Sequence, residues 1–170
     1  VGKTTVLQRL MSKDRNYVTL DDLEDRKLAR HDPALFLQMH DLPLFIDEVQ
    51  YAPELFSYIK IAIDQGAAPG SFWLTGSQAF RMMELARESL AGRTAILHMP
   101  GLSQHEIYGS GENRPFTVDL KELKERKSTG TAVNIDGIYE RIWKGSLPGY
   151  ISGKFTDRNV FYSTYLQTYI

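Results

Sequence analysis

The stretch Pro43-Leu44-Phe45-Ile46-Asp47-Glu48 decides the fold of this chain. Its first four residues form a continuous apolar run, and such runs are typical of strands that are buried on both faces, as in parallel sheets. The two acidic residues that follow then lie at the carboxyl end of the strand. The stretch therefore predicts a central strand of a parallel sheet with carboxylates at its edge.

The segments on either side of this strand alternate between strand and helix patterns. Further strands are predicted at residues 17–20, 71–74 and 94–97. Helices are predicted after Gly2, after the Asp32-Pro33 cap, at residues 53–66 and at residues 80–91. Strands and helices that alternate at this length predict an α/β fold of βαβ units around a mainly parallel sheet.

The sequence changes in texture from about Gly109. Just before it, Ser103 and Glu106 form a capping box for a short helix. Residues 117–127 are highly charged and predict a solvated helix. Two C-terminal helices are predicted at residues 138–144 and 156–170, separated by Gly145-Ser146-Leu147-Pro148-Gly149.

The composition excludes several classes of protein. The 170 residues are 42% hydrophobic and 24% charged, close to the averages of globular domains, which excludes bulk disorder and coiled coil. The net charge of −1 gives no global basic field for nucleic acid or an anionic membrane. The chain has no cysteine and no apolar run long enough for a membrane span, so we expect a cytoplasmic protein without a membrane partner.

Gly2-Lys3-Thr4-Thr5 has the form of the second half of a P-loop, because it leads directly into a helix. Backbone N–H groups of such a loop and of the helix N-terminus bind phosphates. Lys3 would then reach the β and γ oxygens of a nucleotide, and the Thr4 hydroxyl would ligate Mg²⁺. The alternative for so short a motif is a chance match in an exposed N-terminus.

Asp47 and Glu48 strengthen the P-loop interpretation, because an apolar strand that ends in two acidic residues has the form of a Walker B motif. Asp47 would hold Mg²⁺, and Glu48 would act as the general base on the attacking water. The alternative is an acidic pair that solvates the strand end or caps the next helix.

Two further positions fit the same chemistry. Leu74-Thr75-Gly76-Ser77 places polar side chains at the tip of the next strand, where one can contact the γ-phosphate or the water. Ser77 is the first candidate for this sensor role and Thr75 the second. Arg93, after Leu90-Ala91-Gly92, could stabilise phosphoryl charge in its own chain or in a neighbouring subunit. The alternatives are an ordinary turn and a surface arginine.

These motifs together resemble the prokaryotic AAA+ ATPases of the archaeal-ATPase-like group. The resemblance rests on four motifs, namely Val1-Gly2-Lys3-Thr4-Thr5, Phe45-Ile46-Asp47-Glu48-Val49-Gln50-Tyr51-Ala52-Pro53, Leu74-Thr75-Gly76-Ser77-Gln78 and Leu90-Ala91-Gly92-Arg93, of which the run from Asp47 to Pro53 is the most specific. It implies a three-layer P-loop NTPase fold with C-terminal helices, and the use of ATP and Mg²⁺. In this family an ATPase domain is followed by a C-terminal domain of unknown function.

The resemblance also implies a division of the chain. Residues 1–108 would be the ATPase core, 109–137 a variable charged insertion, and 138–170 a helical junction into a further C-terminal domain. The family pattern has a strand and the first P-loop glycine before Val1, so we expect a fragment truncated at both ends that lacks the first strand.

Three functions stay open at this point. The first is ATP hydrolysis coupled to a conformational change, in a homo-oligomer if Arg93 acts between subunits. The second is a nucleotide-gated switch for a DNA or protein partner, with little turnover, although Glu48 favours turnover. The third is an inactive remnant in this truncated form.

Overall fold

The computed structural model describes residues 2–77, 88–109, 115, 117–129 and 133–169. The chain divides into two compact units, Gly2–His98 and Met99–Ile170. The predicted boundaries at residues 108 and 137 stay predictions, and each unit is described by itself.

Helices and strands alternate in the first unit. Its elements are α1 (Lys3–Leu10), β1 (Asn16–Thr19), α2 (Leu23–His31), α3 (Pro33–Met39), β2 (Leu44–Asp47), α4 (Leu55–Asp64) and β3 (Phe72–Leu74), with a single 3₁₀ turn at Val49–Tyr51. Local capping explains two of these starts. The Asp22 carboxylate accepts from the first-turn N–H groups of Glu24 and Asp25, and that of Asp32 accepts from Leu35 N–H just after Pro33.

The three strands form one parallel sheet in the order β1-β2-β3. Val18 lies beside Ile46, and Ile46 lies beside Leu74. Parallel neighbours need helical crossovers, which α2 with α3 and α4 supply here. The structure thus confirms the predicted α/β fold with a parallel sheet and flanking helices.

The central strand β2 is buried on both faces, as its sequence predicts. Leu44 and Ile46 are fully buried in the main core with residues of the surrounding helices, namely Ala29, Phe36, Val49, Leu55, Phe56 and Ile59. On the other face, the Phe45 ring lies between Tyr17 and Trp73, at centroid distances of 5.2 and 6.4 Å. This packing on both faces fixes the position of β2 in the sheet, and therefore the position of Asp47 at its carboxyl end.

The predicted fourth strand is wrong. Residues 94–97 have no strand structure, and Ile96 and Leu97 are 47% and 89% exposed. A short apolar segment becomes a strand only where a neighbouring edge satisfies its backbone groups. The three-stranded sheet ends at β3, and residues 94–97 pair with none of its described strands. The helix predicted at residues 80–91 falls mostly on residues 78–87, which lie outside the described part of the chain.

The second unit is helical over its described residues. It contains α5 (Gln104–Tyr108), α6 (Leu120–Thr129), α7 (Ile135–Lys144), α8 (Pro148–Ile151) and α9 (Arg158–Tyr169). The Ser103–Glu106 capping box forms at α5 as predicted. Helix α8 lies partly in the segment that the sequence predicts as a connection, because Pro148 at its first position starts a helical turn.

Aromatic rings hold α8 and α9 together. Phe161 contacts the rings of Tyr150, Phe155, Tyr162 and Tyr165, at centroid distances between 5.0 and 6.4 Å. Offset and edge-on ring pairs of this kind stabilise small helical units beyond simple area burial. Across the described ranges, no helix combines the length and the apolar character that crossing a bilayer needs.

Candidate nucleotide site

The predicted phosphate and metal residues meet at one edge of the sheet. Because all three strands run in the same direction, their carboxyl ends lie at that edge, where open α/β sheets bind ligands. Asp47 is the last residue of β2, and the first turn of α1 lies against it through Thr4. Thr4 and Asp47, which are distant in sequence, therefore meet because β2 ends at this edge and α1 begins there.

Thr4 and Asp47 are in direct contact. The Thr4 hydroxyl lies 3.0 Å from Oδ1 and 2.9 Å from Oδ2 of Asp47, although the two residues are 43 positions apart. These are the two side chains that the sequence predicts as Mg²⁺ ligands. Hard oxygen donors, a hydroxyl and a carboxylate, are the donor set that Mg²⁺ takes in nucleotide sites. The chemistry of this pair fits a magnesium ion bound together with phosphate oxygens.

The Asp47 carboxylate accepts from two more hydroxyl groups. Tyr17 Oη on β1 donates to Oδ2 at 3.2 Å, and Thr75 after β3 donates to Oδ1. Asp47 is only 5% exposed, and a buried carboxylate needs such donors to offset the loss of hydration. Burial, and next the negative charge of Asp47, raise the pKa of the Tyr17 phenol, so Tyr17 keeps its proton and remains a donor.

The N-terminus of α1 suits phosphate. Gly2 is the N-cap residue and has left-handed backbone angles, φ 85° and ψ 0°, which L side chains rarely adopt. No side chain caps this helix among the described residues, and its first turn holds no acidic group. Its first N–H groups and its positive dipole end are thus available to an anion. Lys3 is half-buried in this turn, while Thr5 is exposed.

Glu48 and Ser77 are joined through a third residue. The Gln50 amide nitrogen donates to Oε2 of Glu48 and, at 3.2 Å, to Oγ of Ser77. The two sensor candidates, Thr75 and Ser77, have different neighbours. Thr75 is buried against Asp47, whereas Ser77 lies on the side of Glu48.

Arg93 lies outside this group of residues. Its Nε donates to Oδ1 of Asp64 at 2.6 Å, and Lys60 contacts Oδ2 of the same carboxylate at 2.9 Å. Asp64 is the last residue of α4, which returns from the carboxyl end of β2 toward the amino end of β3. The structure therefore brings Thr4, which follows Gly2 and Lys3 on the chain, against Asp47, and it joins Glu48 to Ser77 through Gln50. It places Arg93 at the other end of the sheet, beside the end of α4.

Sequence reasoning missed Tyr17 and Gln50. Gln50 had a local signal, since it lies two residues after Glu48 in the most specific motif of the chain. Tyr17 had none, because its contact with Asp47 depends on the register of β1 against β2, which pairs Tyr17 with Phe45. Within the described ranges, this site included, no group of three or more His, Cys, Asp or Glu side chains is close enough to hold a metal ion.

Comparisons with known proteins give a family for the part of the chain that holds these residues. A family model described as "AAA domain" matches residues 1–108, which is more than half of the chain and includes all the residues of the site. No solved structure gives a significant match to the chain.

Two curated proteins are similar to part of the chain. Uncharacterized proteins of Mycobacterium bovis and Mycobacterium tuberculosis are each 34% identical to it over 116 residues. These matches cover 66% of this chain but only 26% of each mycobacterial protein. The matched segment thus spans about a quarter of the length of these relatives.

Proposed function

Because the chain belongs to the AAA domain family, we propose that it binds Mg-ATP at the carboxyl edge of its sheet and hydrolyses it. Family membership indicates a nucleotide-binding domain of the ATPase type. The residues that bind the nucleotide, the use of Mg²⁺ and the hydrolytic step are parts of the proposal.

The contact between Thr4 and Asp47 carries the proposal. A helix N-terminal hydroxyl and a strand-end carboxylate, distant in sequence, lie 2.9 and 3.0 Å apart at the edge where such sheets bind ligands. A purely structural hydrogen bond would need no lysine beside it and no uncapped helix N-terminus. All three features occur within the first turn of α1.

The protein groups divide the binding task. The N–H groups of the first turn of α1 and the Lys3 ammonium group bind the phosphates. Thr4 and Asp47 would hold Mg²⁺, which would supply positive charge to neutralise the phosphate oxygens. Tyr17 and Thr75 orient the Asp47 carboxylate through their hydroxyl groups.

In the hydrolytic step, Glu48 acts as the general base. Its carboxylate takes a proton from water as the water oxygen forms a bond to the γ-phosphorus, and the bond from that phosphorus to the β–γ bridging oxygen breaks. The products are ADP and inorganic phosphate. Ser77 lies close enough to the Glu48 side chain, through Gln50, to report the presence of the γ-phosphate to the base.

We propose that nucleotide state drives a conformational change in the full-length protein. A base is of use only to a protein that turns over, so Glu48 favours this function over a switch without hydrolysis. Oligomerisation through Arg93 and a DNA or protein partner belong to this wider proposal, and the site gives no direct support for either partner.

Calorimetry with Mg-ATP and a phosphate-release assay test the proposal in the full-length protein. We expect Lys3→Ala to abolish ATP binding, because it removes a phosphate contact. Lys13→Ala is the matched control, since Lys13 is an exposed lysine just beyond α1. Unchanged ATP binding by Lys3→Ala would refute the site, and binding without phosphate release would favour the nucleotide-gated switch.

A further inference from the structure

Gln50 is a buried amide placed between the proposed base and the proposed sensor. It lies in the 3₁₀ turn Val49–Tyr51 and is 3% exposed. Its amide nitrogen, which carries two hydrogens, donates to the carboxylate of Glu48 and to the hydroxyl oxygen of Ser77. One side chain thereby ties the end of β2 to the segment that follows β3.

The backbone at Glu48 is strained. Its angles, φ 56° and ψ 40°, are in the left-handed region, and it is the one residue other than glycine with positive φ in the described part of the chain. Such strain persists only where surrounding contacts hold it, and it occurs most often at functional positions. The left-handed conformation of Glu48 changes the direction of the backbone directly after Asp47, so Glu48 does not continue the extended path of β2.

The carbonyl end of the Gln50 amide is unsatisfied. Its Oε1 is buried and has no hydrogen-bond partner among the described residues. A buried acceptor without a donor is unfavourable, and an apolar side chain of similar shape would avoid the penalty. Space filling alone therefore does not account for an amide at this position, whereas its two donated hydrogen bonds do.

We propose that Gln50 is a positioning residue that holds the Glu48 carboxylate in place for proton transfer and couples its orientation to Ser77. This inference rests on the proposed function, since it takes Glu48 as the base. The strained turn directs the carboxylate, and the amide then fixes it relative to the neighbouring strand. If Ser77 moves when its contact with the γ-phosphate is lost, the Gln50 side chain would pass that movement on to the Glu48 carboxylate.

Gln50→Met tests the idea, because methionine is similar in length but donates no hydrogen bond. We expect kcat for ATP hydrolysis to fall roughly 10- to 100-fold, the cost of a misplaced catalytic group, while KM and the dissociation constant for Mg-ATP stay within about twofold. Ile59→Val is the control for core damage, since Ile59 is fully buried in α4 away from the site. It should lower the melting temperature without lowering kcat.

A double-mutant cycle separates positioning from a structural role. In the Glu48→Gln background, single-turnover assays should show no further slowing from Gln50→Met, because the base that Gln50 orients is already gone. Ser77→Ala should likewise be less than additive with Gln50→Met. An unchanged kcat in Gln50→Met would overturn the inference, as would a full additional loss in the Glu48→Gln background.

The same assays keep the two proposals distinguishable. If Glu48→Gln hydrolyses ATP like the unmodified protein, the assignment of the base is wrong, and the role of Gln50 falls with it. If Glu48→Gln is slow and Gln50→Met is as fast as the unmodified protein, only the inference about Gln50 is wrong.

Discussion

Arg93 donates its Nε–H to Asp64 Oδ1 at 2.6 Å, and this ion pair ties the chain after residue 90 to the carboxyl end of α4. Lys60 binds the other oxygen of the same carboxylate. The pair lies at the amino end of the sheet, because α4 runs back from the end of β2 toward the start of β3. An arginine held there does not reach the nucleotide site of its own chain, so a catalytic role for Arg93 requires a neighbouring subunit.

We predict that Arg93 acts between subunits in the full-length protein. Arg93→Ala and Arg93→Lys should both bind ATP and hydrolyse it slowly, because a lysine lacks the planar fork that suits spread phosphoryl charge. Mixing Arg93→Ala with Lys3→Ala subunits should restore part of the activity, since each supplies what the other lacks. Phosphate release per site that is independent of protein concentration, with no rescue in the mixture, would contradict this prediction.

The Asp64 ion pair predicts an acid-sensitive contribution to stability. The hydrogen bond from Arg93, and next that from Lys60, hold the pKa of Asp64 below its ordinary value of 3.8. A carboxylate with a lowered folded-state pKa contributes stability above pH 3.8 and loses it as the pH falls through the folded-state pKa. In urea titrations, Asp64→Asn should lower the free energy of unfolding at pH 7 and have a smaller effect near pH 2–3. An equal effect at both pH values would show that the charge is unimportant.

Thr4→Val should separate the two roles of the Thr4 hydroxyl. Valine keeps the shape of the side chain but removes the donor to Asp47 and the proposed Mg²⁺ ligand. We expect the free energy of unfolding to fall by about 1–2 kcal/mol, because a buried carboxylate loses one donor. Mg-ATP affinity should also fall, whereas Thr4→Ser should restore both properties. A stability loss with unchanged Mg²⁺ dependence would leave Thr4 with a structural role alone.

Tyr17→Phe tests whether the phenol supports Asp47. The ring contact with Phe45 is kept, and only the hydroxyl that donates to Asp47 at 3.2 Å is removed. Because Tyr17 is partly exposed, we expect a loss of roughly 1 kcal/mol in the free energy of unfolding, less than the roughly 1.5–3 kcal/mol of hydrogen bonds to charged groups in general. Tyr58→Phe is a matched control in α4, since both tyrosines are 38% exposed. Equal effects in the two variants would exclude a specific role for Tyr17.

Gly145→Ala should destabilise the second unit. Gly145 ends α7 with φ 70° and ψ −156°, a backbone conformation nearly restricted to glycine. A Cβ there would overlap with Oη of Tyr162, whose hydroxyl donates to the Lys144 carbonyl oxygen. We expect a loss of about 1–3 kcal/mol, measured by thermal unfolding. Gly149→Ala is the control, because its Cβ would meet only Phe161 and Phe155 at ordinary contact distances.

The sequence by itself determined the elements whose signals are local. The apolar run of β2, the Asp32-Pro33 start of α3 and the Ser103–Glu106 capping box each depend on neighbouring residues, so hydrophobic pattern and capping chemistry sufficed to predict them. The predicted metal pair is a simple extension of this. Once β2 is a strand of a parallel sheet, Asp47 must lie at the edge where ligands bind, and the structure places Thr4 against it.

Tertiary structure alone decided the contacts between distant segments that no sequence motif indicates. The register of β1 against β2 brings the Tyr17 hydroxyl to Asp47. The strained turn at Glu48 brings Gln50 to Ser77, and the direction of α4 brings Asp64 to Arg93. The same reason explains the wrong strand at residues 94–97, because strand formation needs a neighbour whose presence no local pattern records. Such contacts depend on packing direction and side-chain geometry across many residues, and these are fixed only when the whole sheet is assembled.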